Sequence, residues 1–472
     1  LKSGRKYILT LIAVDEAGNK SDGVNIILYT KVGLSNFIAN TYTYYTMDPE
    51  TNEITMRTMP YRLFIPENYD PKIKYPLVVF LHGGGESGTD NAMQVSLSTN
   101  AGARLWAEPY NQEKQPAFVL APQTNFSWAS GGTDDEVGYG NQGVMQLIYV
   151  LESQYNIDST RRYITGTSMG GAGIYDIITK NPKIFAAAIP IAASGDKSKA
   201  SNANDIYIWA FHGTVDLSIP YNEGYEMYEA IINSTGYTGK AKFTTLKNID
   251  HGGSWAVVYQ DPQLSNEVLE WLYSKKLEED ITPPSVPHKL NVSSFLSRGT
   301  LLSWDASYDN ESGILVYEIY RNDNVKGISS AKKYYDDNGG LYDVYKIKAV
   351  NGAMIKSDYS TSVSIEVPEE ETNLPHPALP EGEETKPKET EPIPKEEEIP
   401  ETETIPPEET GEKVVLPEGI LLMIPSAKEL IEIIEPEEAL EKAKEIIKNS
   451  QQLENNAFEG KESINEVTVA LT

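Results

Sequence analysis

The chain has 472 residues, 40% of them hydrophobic, no cysteine and a formal net charge of −29. Without cysteine, disulfide frameworks, thiol catalysis and Cys-ligated zinc or iron–sulfur centres are excluded. No apolar run approaches the roughly 18–20 residues of a membrane span, and an acidic chain with a pI near 4.6 is a poor general binder of nucleic acid.

A chain of this length predicts more than one domain. It begins at Leu1 with no basic-then-apolar leader, which reads as a piece of a longer precursor. Residues 1–31 hold two alternating apolar stretches that resemble the last two strands of a truncated sandwich of immunoglobulin or fibronectin type. Two strands cannot bury a core alone, so this piece must lean on its neighbour or be poorly ordered. Its Ala13-Val14-Asp15 and Lys20-Ser21-Asp22 recur, at one ungapped offset, as Ala349-Val350-Asn351 and Lys356-Ser357-Asp358.

Residues 46–277 have a different texture. The continuous apolar runs 75–81, 117–121, 162–165 and 206–211 alternate with helix-like stretches such as 143–155 and 222–232. Buried strands alternating with helices predict an α/β fold with a mostly parallel sheet. After the stiff segment 282–287, residues up to 367 read as an all-β sandwich that resembles a fibronectin type III module, with Trp304 on one strand and Tyr317-Glu318-Ile319-Tyr320-Arg321 on another. Asp305, Asp309, Asn310 and Glu311 lack EF-hand spacing and read as a solvated loop, so no metal site is expected. Residues 368–412 contain 16 Glu, 10 Pro and only 3 Lys. That segment is an expected disordered linker, extended by proline and by charge repulsion. Residues 413–472 are expected to hold a helix opening at Glu435-Pro436-Glu437-Glu438, part of a further module.

In a parallel α/β sheet, sites gather at the carboxyl ends of the strands, and four such ends carry pointed chemistry. Gly166-Thr167-Ser168-Met169-Gly170 follows a strand and precedes a helical stretch, the context in which G-x-S-x-G presents a serine above the sheet. A serine needs a base, and the chain has only five histidines. His376 lies in the acidic segment and His288 at the sandwich entry. His82 and His212 each precede glycine at a strand end, where they shape loops. His251 follows every candidate acid in Ser…Asp…His order and is the expected base. Asp216, at a strand end, is the expected acid; Asp205 lies at the wrong end of its strand and Asp250 adjoins the histidine. In His82-Gly83-Gly84-Gly85-Glu86, bare backbone amides of Gly84 or Gly85 could join the N–H of Met169 as an oxyanion hole. A phosphate-cradling reading is weak, with neither a Gly-Lys-Ser/Thr ending nor G-x-G-x-x-G.

Together His82-Gly83-Gly84-Gly85, Gly166 to Gly171, His212-Gly213…Asp216…Pro220 and His251-Gly252…Trp255 resemble the α/β-hydrolase superfamily. The nearest branch is the phospholipase/carboxylesterase type, related to feruloyl and polyhydroxybutyrate depolymerase-like esterases. The resemblance implies a Ser168, Asp216 and His251 triad, no metal or organic cofactor, and an extracellular bacterial enzyme fused to sandwich modules.

The expected function is a secreted serine esterase that forms an acyl-enzyme on acetyl, feruloyl or other short acyl esters of polysaccharide. Protonation of an imidazole base predicts a rate that falls below about pH 6–7. Glu86, Trp128, Tyr139 and Trp255 are candidate substrate contacts, with Trp106 a further aromatic of the region. The sandwich modules are candidates for cell-surface or polysaccharide association. Two alternatives are a serine peptidase of prolyl oligopeptidase type and a non-catalytic surface scaffold.

Overall fold

The computed structural model describes residues 2–364 except 16–21, 23, 49, 52, 97–100, 134–135, 296–298 and 341, together with 432–434 and 464–471. The expected linker at 368–412 and the helix expected from Glu435 lie outside the described residues.

Strands β1 (Lys6–Asp15) and β2 (Val24–Thr30) form an antiparallel hairpin in which Lys6 faces Tyr29. The chain then enters a long hairpin, β3 (Ile38–Met47) and β4 (Ile54–Phe64), followed by β5 (Tyr75–Leu81). Three short helices, α1 (Met93–Ser96), α2 (Arg104–Ala107) and α3 (Pro109–Lys114), lead to β6 (Phe118–Pro122). Regular alternation follows: α4 (Tyr139–Gln154), β7 (Ile157–Thr167), α5 (Met169–Lys180), β8 (Ala187–Ile191), β9 (Tyr207–Gly213), α6 (Tyr221–Ile232) and β10 (Ala241–Leu246). Helices α7 (His251–Gln260) and α8 (Pro262–Tyr273) close the unit.

One eight-stranded sheet results, in the order β10-β9-β8-β7-β5-β6-β4-β3. Strands β5 to β10 pair in parallel, whereas β4 pairs antiparallel with both β3 and β6. The sheet is therefore mixed, and it begins at Ile38, earlier than the expected start at residue 46. The central strands β5, β6 and β8 are buried along their whole length, which is why they read as unbroken apolar runs rather than alternations. Two clusters fill the layers on either face. One contains Leu77, Val79, Ile148, Ile164 and Ile177, the other Val78, Phe80, Val119, Ile189 and Val258.

The β1–β2 hairpin is tied to the helical layer. The Tyr29 hydroxyl donates to Glu113 Oε2 (2.6 Å), Lys6 pairs with Glu113 (2.9 Å), and the Val32 amide donates to Glu108 Oε2 (3.1 Å). β18 (Glu432–Ile434) runs parallel to β2, and β19 (Ile464–Leu471) runs antiparallel to β1.

Past α8, two antiparallel sheets face each other. One joins β11 (His288–Phe295), β12 (Gly299–Asp305) and β15 (Lys333–Asp336). The other joins β13 (Ile314–Arg321), β14 (Asn324–Ser329), β16 (Val344–Asn351) and β17 (Val363–Ser364). Leu290, Leu302, Trp304, Tyr317, Ile319 and Ile347 pack between them. Leu315, Val316 and Val350 point elsewhere, into the same cluster as Ile148 and Met145 of α4. No helix among the described residues is long and apolar enough to cross a membrane.

A buried ion pair fixes α4 to the strand that ends at Ser168. Arg162 on β7 and Glu152 on α4 are almost wholly enclosed and meet fork to fork, with Nη2 2.5 Å from Oε2. Removing one partner strands a charge in the core, so Glu152→Ala is expected to lose about 3–5 kcal/mol of unfolding free energy. Replacing both with Met and Leu should lose much less, a comparison that denaturant midpoints would check.

Candidate functional site

The geometry begins with a strained turn. Ser168 follows the last residue of β7 with φ 52° and ψ −116°, and the next residue opens α5. Its amide donates to the Ile191 carbonyl on the neighbouring β8 (2.9 Å). The first turn of α5 passes so close to β5 that a Cβ on Gly170 would overlap the Leu81 carbonyl. Glycine is therefore required two residues after the serine by close approach of backbones.

His251 stands at the first position of α7. Its Nδ1 lies 2.7 Å from Asp216 Oδ2 and its Nε2 2.9 Å from Ser168 Oγ. A carboxylate only accepts, so Nδ1 carries the proton and Nε2 is left to accept from the serine hydroxyl. Asp216, 5% exposed, takes two further hydrogen bonds at Oδ1, from the Ser218 and Ile219 amides, each 2.9 Å. The other two carboxylates are engaged elsewhere: Asp250 caps α7 through the Gly253 amide (2.7 Å), and Asp205 pairs with Lys240 (2.7 Å). This arrangement can withdraw the serine proton onto an imidazole whose second nitrogen is held by a buried anion.

The glycine loop stands beside this turn, because Leu81 at the end of β5 is in register with Gly166 of β7. Gly84 and Gly85 lie on a short 3-10 turn in which a Cβ would meet nothing within 4 Å. Among the described residues, no acceptor faces the amides of Gly84, Gly85 or Met169. Such unpartnered donors beside a nucleophile are what an oxyanion needs.

His82 ties this loop down. Its Nδ1–H donates to the Gly83 carbonyl (2.7 Å), while Nε2 accepts the Thr124 amide (3.1 Å). Trp128 donates its indole N–H to the His82 carbonyl (3.0 Å) and packs edge-on to the ring. Here the structure corrects an expectation: Trp128 and Trp106 are 0% exposed and serve as core. The segment around Trp128 is rich in Gly and Ser, yet the indole finds its polar partner inside. Tyr139 is likewise buried, under the Arg57 guanidinium (4.5 Å). Glu86 is 6% exposed and turns inward, its carboxylate near Gly83 and Thr167. Trp255 packs edge-on to His251, the ring centroids 5.0 Å apart.

Sequence reasoning missed Gln123. Its amide donates to the Glu86 carbonyl (3.0 Å) and Asp90 (2.8 Å) and accepts the Asn91 amide (2.6 Å), bracing the glycine loop from the end of β6. The only available signal was its place immediately after a buried strand. A cleft of about 670 Å³ between the mixed sheet and the sandwich, lined by Tyr42, Tyr45, Gln146, Trp304 and Tyr334, includes none of these residues. Among the described residues, Asp280, Asp309 and Glu311 bring carboxylate oxygens within 4.8 Å of one another. However, Asp280 already accepts from Ser312, Asn351 and Thr282, and Asp309 from the amides of residues 311–313. Asp305 of the expected solvated loop pairs with Lys289 (2.8 Å).

Burial pushes His82 from 6.5 down to about 4. Between those values the unfolded chain takes up a proton that the folded one refuses. Stability is therefore full above pH 6.5 and drains away as the pH falls, by about 2–3 kcal/mol at pH 4.5. Unfolding free energies of wild type and His82→Gln at pH 7 and 4.5 should show this share of the acid sensitivity vanish in the variant. Equal slopes would disprove it.

Residues 68–258 match the family model described as phospholipase/carboxylesterase. A protein named probable feruloyl esterase C from Aspergillus niger is 27% identical over 178 residues, 37% of this chain and 62% of its own length. The bifunctional acetylxylan esterase/xylanase XynS20E of Neocallimastix patriciarum is 30% identical over 161 residues, 34% of this chain and 22% of its own. A crystal structure of a thermostable esterase is 36% identical, with 57% of this chain and 72% of that one covered at a TM-score of 0.45. The chain thus spans about three-fifths of the feruloyl esterase it matches. The matched segment, residues 68–258, is thus that of an α/β-hydrolase esterase of the phospholipase/carboxylesterase type.

Proposed function

We propose that the protein is a serine carboxylesterase working through an acyl-enzyme, on acetyl, feruloyl or similar short acyl esters carried by polysaccharide. The observation that carries this is the position of His251, 2.9 Å from Ser168 Oγ and 2.7 Å from Asp216 Oδ2. Ser168 Oγ attacks the ester carbonyl as its proton passes to His251 Nε2. The carbonyl oxygen becomes an oxyanion held by the amide of Met169 and that of Gly84 or Gly85. His251 returns the proton to the departing alcohol. Water, deprotonated by the same nitrogen, then attacks the acyl carbonyl, and its collapse releases the acid and restores Ser168. Asp216 holds the imidazole in the required tautomer and faces the positive charge it gains.

The polysaccharide setting is supported by the feruloyl and acetylxylan esterases among the relatives. We read the two facing sheets after α8 as a fibronectin-like module, which favours an extracellular enzyme acting on the cell surface or on a polymer. Trp255, half-buried beside His251, is the aromatic placed to meet the acyl or alcohol group.

Ser168→Ala is expected to reduce hydrolysis of p-nitrophenyl acetate and methyl ferulate by at least about 1,000-fold, and Asp216→Asn by a similar order. A fluorophosphonate should label wild type and leave Ser168→Ala unlabelled. Turnover of a peptide p-nitroanilide exceeding that of the esters would overturn the esterase reading in favour of a peptidase. Equal inertness of both proteins on every ester, with no labelling, would overturn it in favour of a binding protein.

A further inference from the structure

His212, at the penultimate position of β9, is 1% exposed and does not touch Ser168 or His251 among the contacts described. Its Nε2 lies 2.9 Å from the Ile219 carbonyl and 3.2 Å from Asp216 Oδ2. Both neighbours are oxygens that can only accept, so Nε2 must carry a proton: an unprotonated nitrogen there would set three lone pairs against one another. Nδ1 is buried with no hydrogen-bond partner. A second proton there would be an unsatisfied buried donor, so the ring is the neutral Nε2–H tautomer.

The other side of the ring is equally constrained. Gly224 in α6 faces Nδ1, and a Cβ at that position would overlap it. Glycine costs about 1 kcal/mol in a helix interior, and here it gives the imidazole the space it occupies. Tyr221 closes the pocket edge-on, 6.0 Å away, and anchors its own hydroxyl on Thr245 Oγ1 (2.7 Å).

We infer that His212 is a positioning residue for the acid of the Ser168 site. The inference rests on Asp216 acting as that acid. Through its Nε2–H, His212 fixes the Ile219 carbonyl and so the turn whose Ser218 and Ile219 amides grip Asp216 Oδ1. The same N–H approaches Oδ2, the oxygen that also receives His251 Nδ1–H. Asp216 is thereby held between two imidazoles, one that exchanges protons with the serine and one that keeps its own. Losing the second lets the carboxylate rotate or sink toward other donors, and His251 loses its orientation. Substrate binding is untouched, because His212 reaches no surface of the pocket.

Glutamine and asparagine discriminate sharply here. The Gln side-chain amide extends to the position of Nε2, whereas the shorter Asn amide reaches only that of Nδ1. Steady-state hydrolysis of p-nitrophenyl acetate by His212→Gln and His212→Asn is the test, with fluorophosphonate labelling as a count of competent sites. His212→Asn is expected to lower kcat about 10–100-fold at unchanged KM, and His212→Gln to stay within about three-fold of wild type. In an Asp216→Asn background, His212→Asn should cost less than about two-fold more, since the residue acts through Asp216.

Equal losses in the Gln and Asn variants, or a full multiplicative loss in the Asp216→Asn background, would reduce His212 to a packing residue. So would two unaffected variants. Failure of the esterase reading itself looks different: Ser168→Ala would then match wild type, or nothing would turn over. Should His212→Asn not fold, Gly224→Ala pushes on the same ring from α6. It is expected to lower kcat at unchanged KM, and unchanged kcat there would overturn the inference.

Discussion

Everything about this site depends on one backbone residue held where only glycine sits comfortably. Ser168 at φ 52° costs on the order of 1–3 kcal/mol and survives because its surroundings leave no alternative. Its amide is spent on β8, Gly170 lets α5 close onto β5, and Arg162 locks β7 to α4 through Glu152. Strain at the serine is thus offset by a parallel sheet whose central strands are fully enclosed. The gain is a hydroxyl lifted clear of the sheet at a helix N-terminus, beside amides that no group among the described residues claims.

The three histidines at strand and helix ends of the mixed-sheet unit differ chiefly in burial. His82 and His212 sit at the ends of β5 and β9, each enclosed and each neutral, but in opposite tautomers. His82 donates from Nδ1 and accepts at Nε2; His212 donates from Nε2 with Nδ1 unpartnered. Each ring is a rigid strut between a strand end and its following loop. His251 keeps 19% of its side chain accessible and has the serine hydroxyl on the nitrogen left unprotonated. The base of the proposed ester hydrolysis must exchange protons with substrate and water, so partial exposure suits it.

Much of this could be read from the sequence because the chemistry is local. Ser168, Asp216 and His251 stand in short motifs at strand ends, and a parallel sheet brings strand ends together. Elimination among five histidines singled out His251, and the fold sets that ring between Ser168 and Asp216. Features that depend on distant partners were not legible. The β3–β4 hairpin has Tyr and Thr along an edge, half covered by α4 and the sandwich, so no clean alternation marks it. β8 is an apolar run of only five residues, and periodicity alone does not tell so short a run from a buried helix segment. Trp128 sits among glycines and serines, and only the His82 carbonyl, 46 residues away, reveals why it is inside. His212 read as a loop-shaping residue. Its approach to Asp216 follows from the turn's curl, which spacing cannot show.

The two facing antiparallel sheets after α8 are not a bead on a string. Leu315, Val316 and Val350 bury themselves in the catalytic domain's core beside α4. Tyr149 of α4 donates to Glu318 of β13, which also takes Tyr320 (2.7 Å) and Lys356 (2.7 Å). Ser330 donates to the Gln142 carbonyl (3.0 Å), and the Lys332 amide to Glu136 (3.1 Å). The connecting segment is pinned as well, because Asp280 accepts from Ser312 and Asn351 of the sandwich. Helix α4 is thus clamped on two sides: Glu152 holds Arg162 of the serine strand, while Tyr149, three residues earlier, holds the sandwich. A module attached this way cannot swing freely, because moving it would expose apolar side chains and strand the Glu318 carboxylate among lost donors. These sheets cover the face of α4 that the mixed sheet leaves bare, so the strand carrying Ser168 is braced through α4 from both sides.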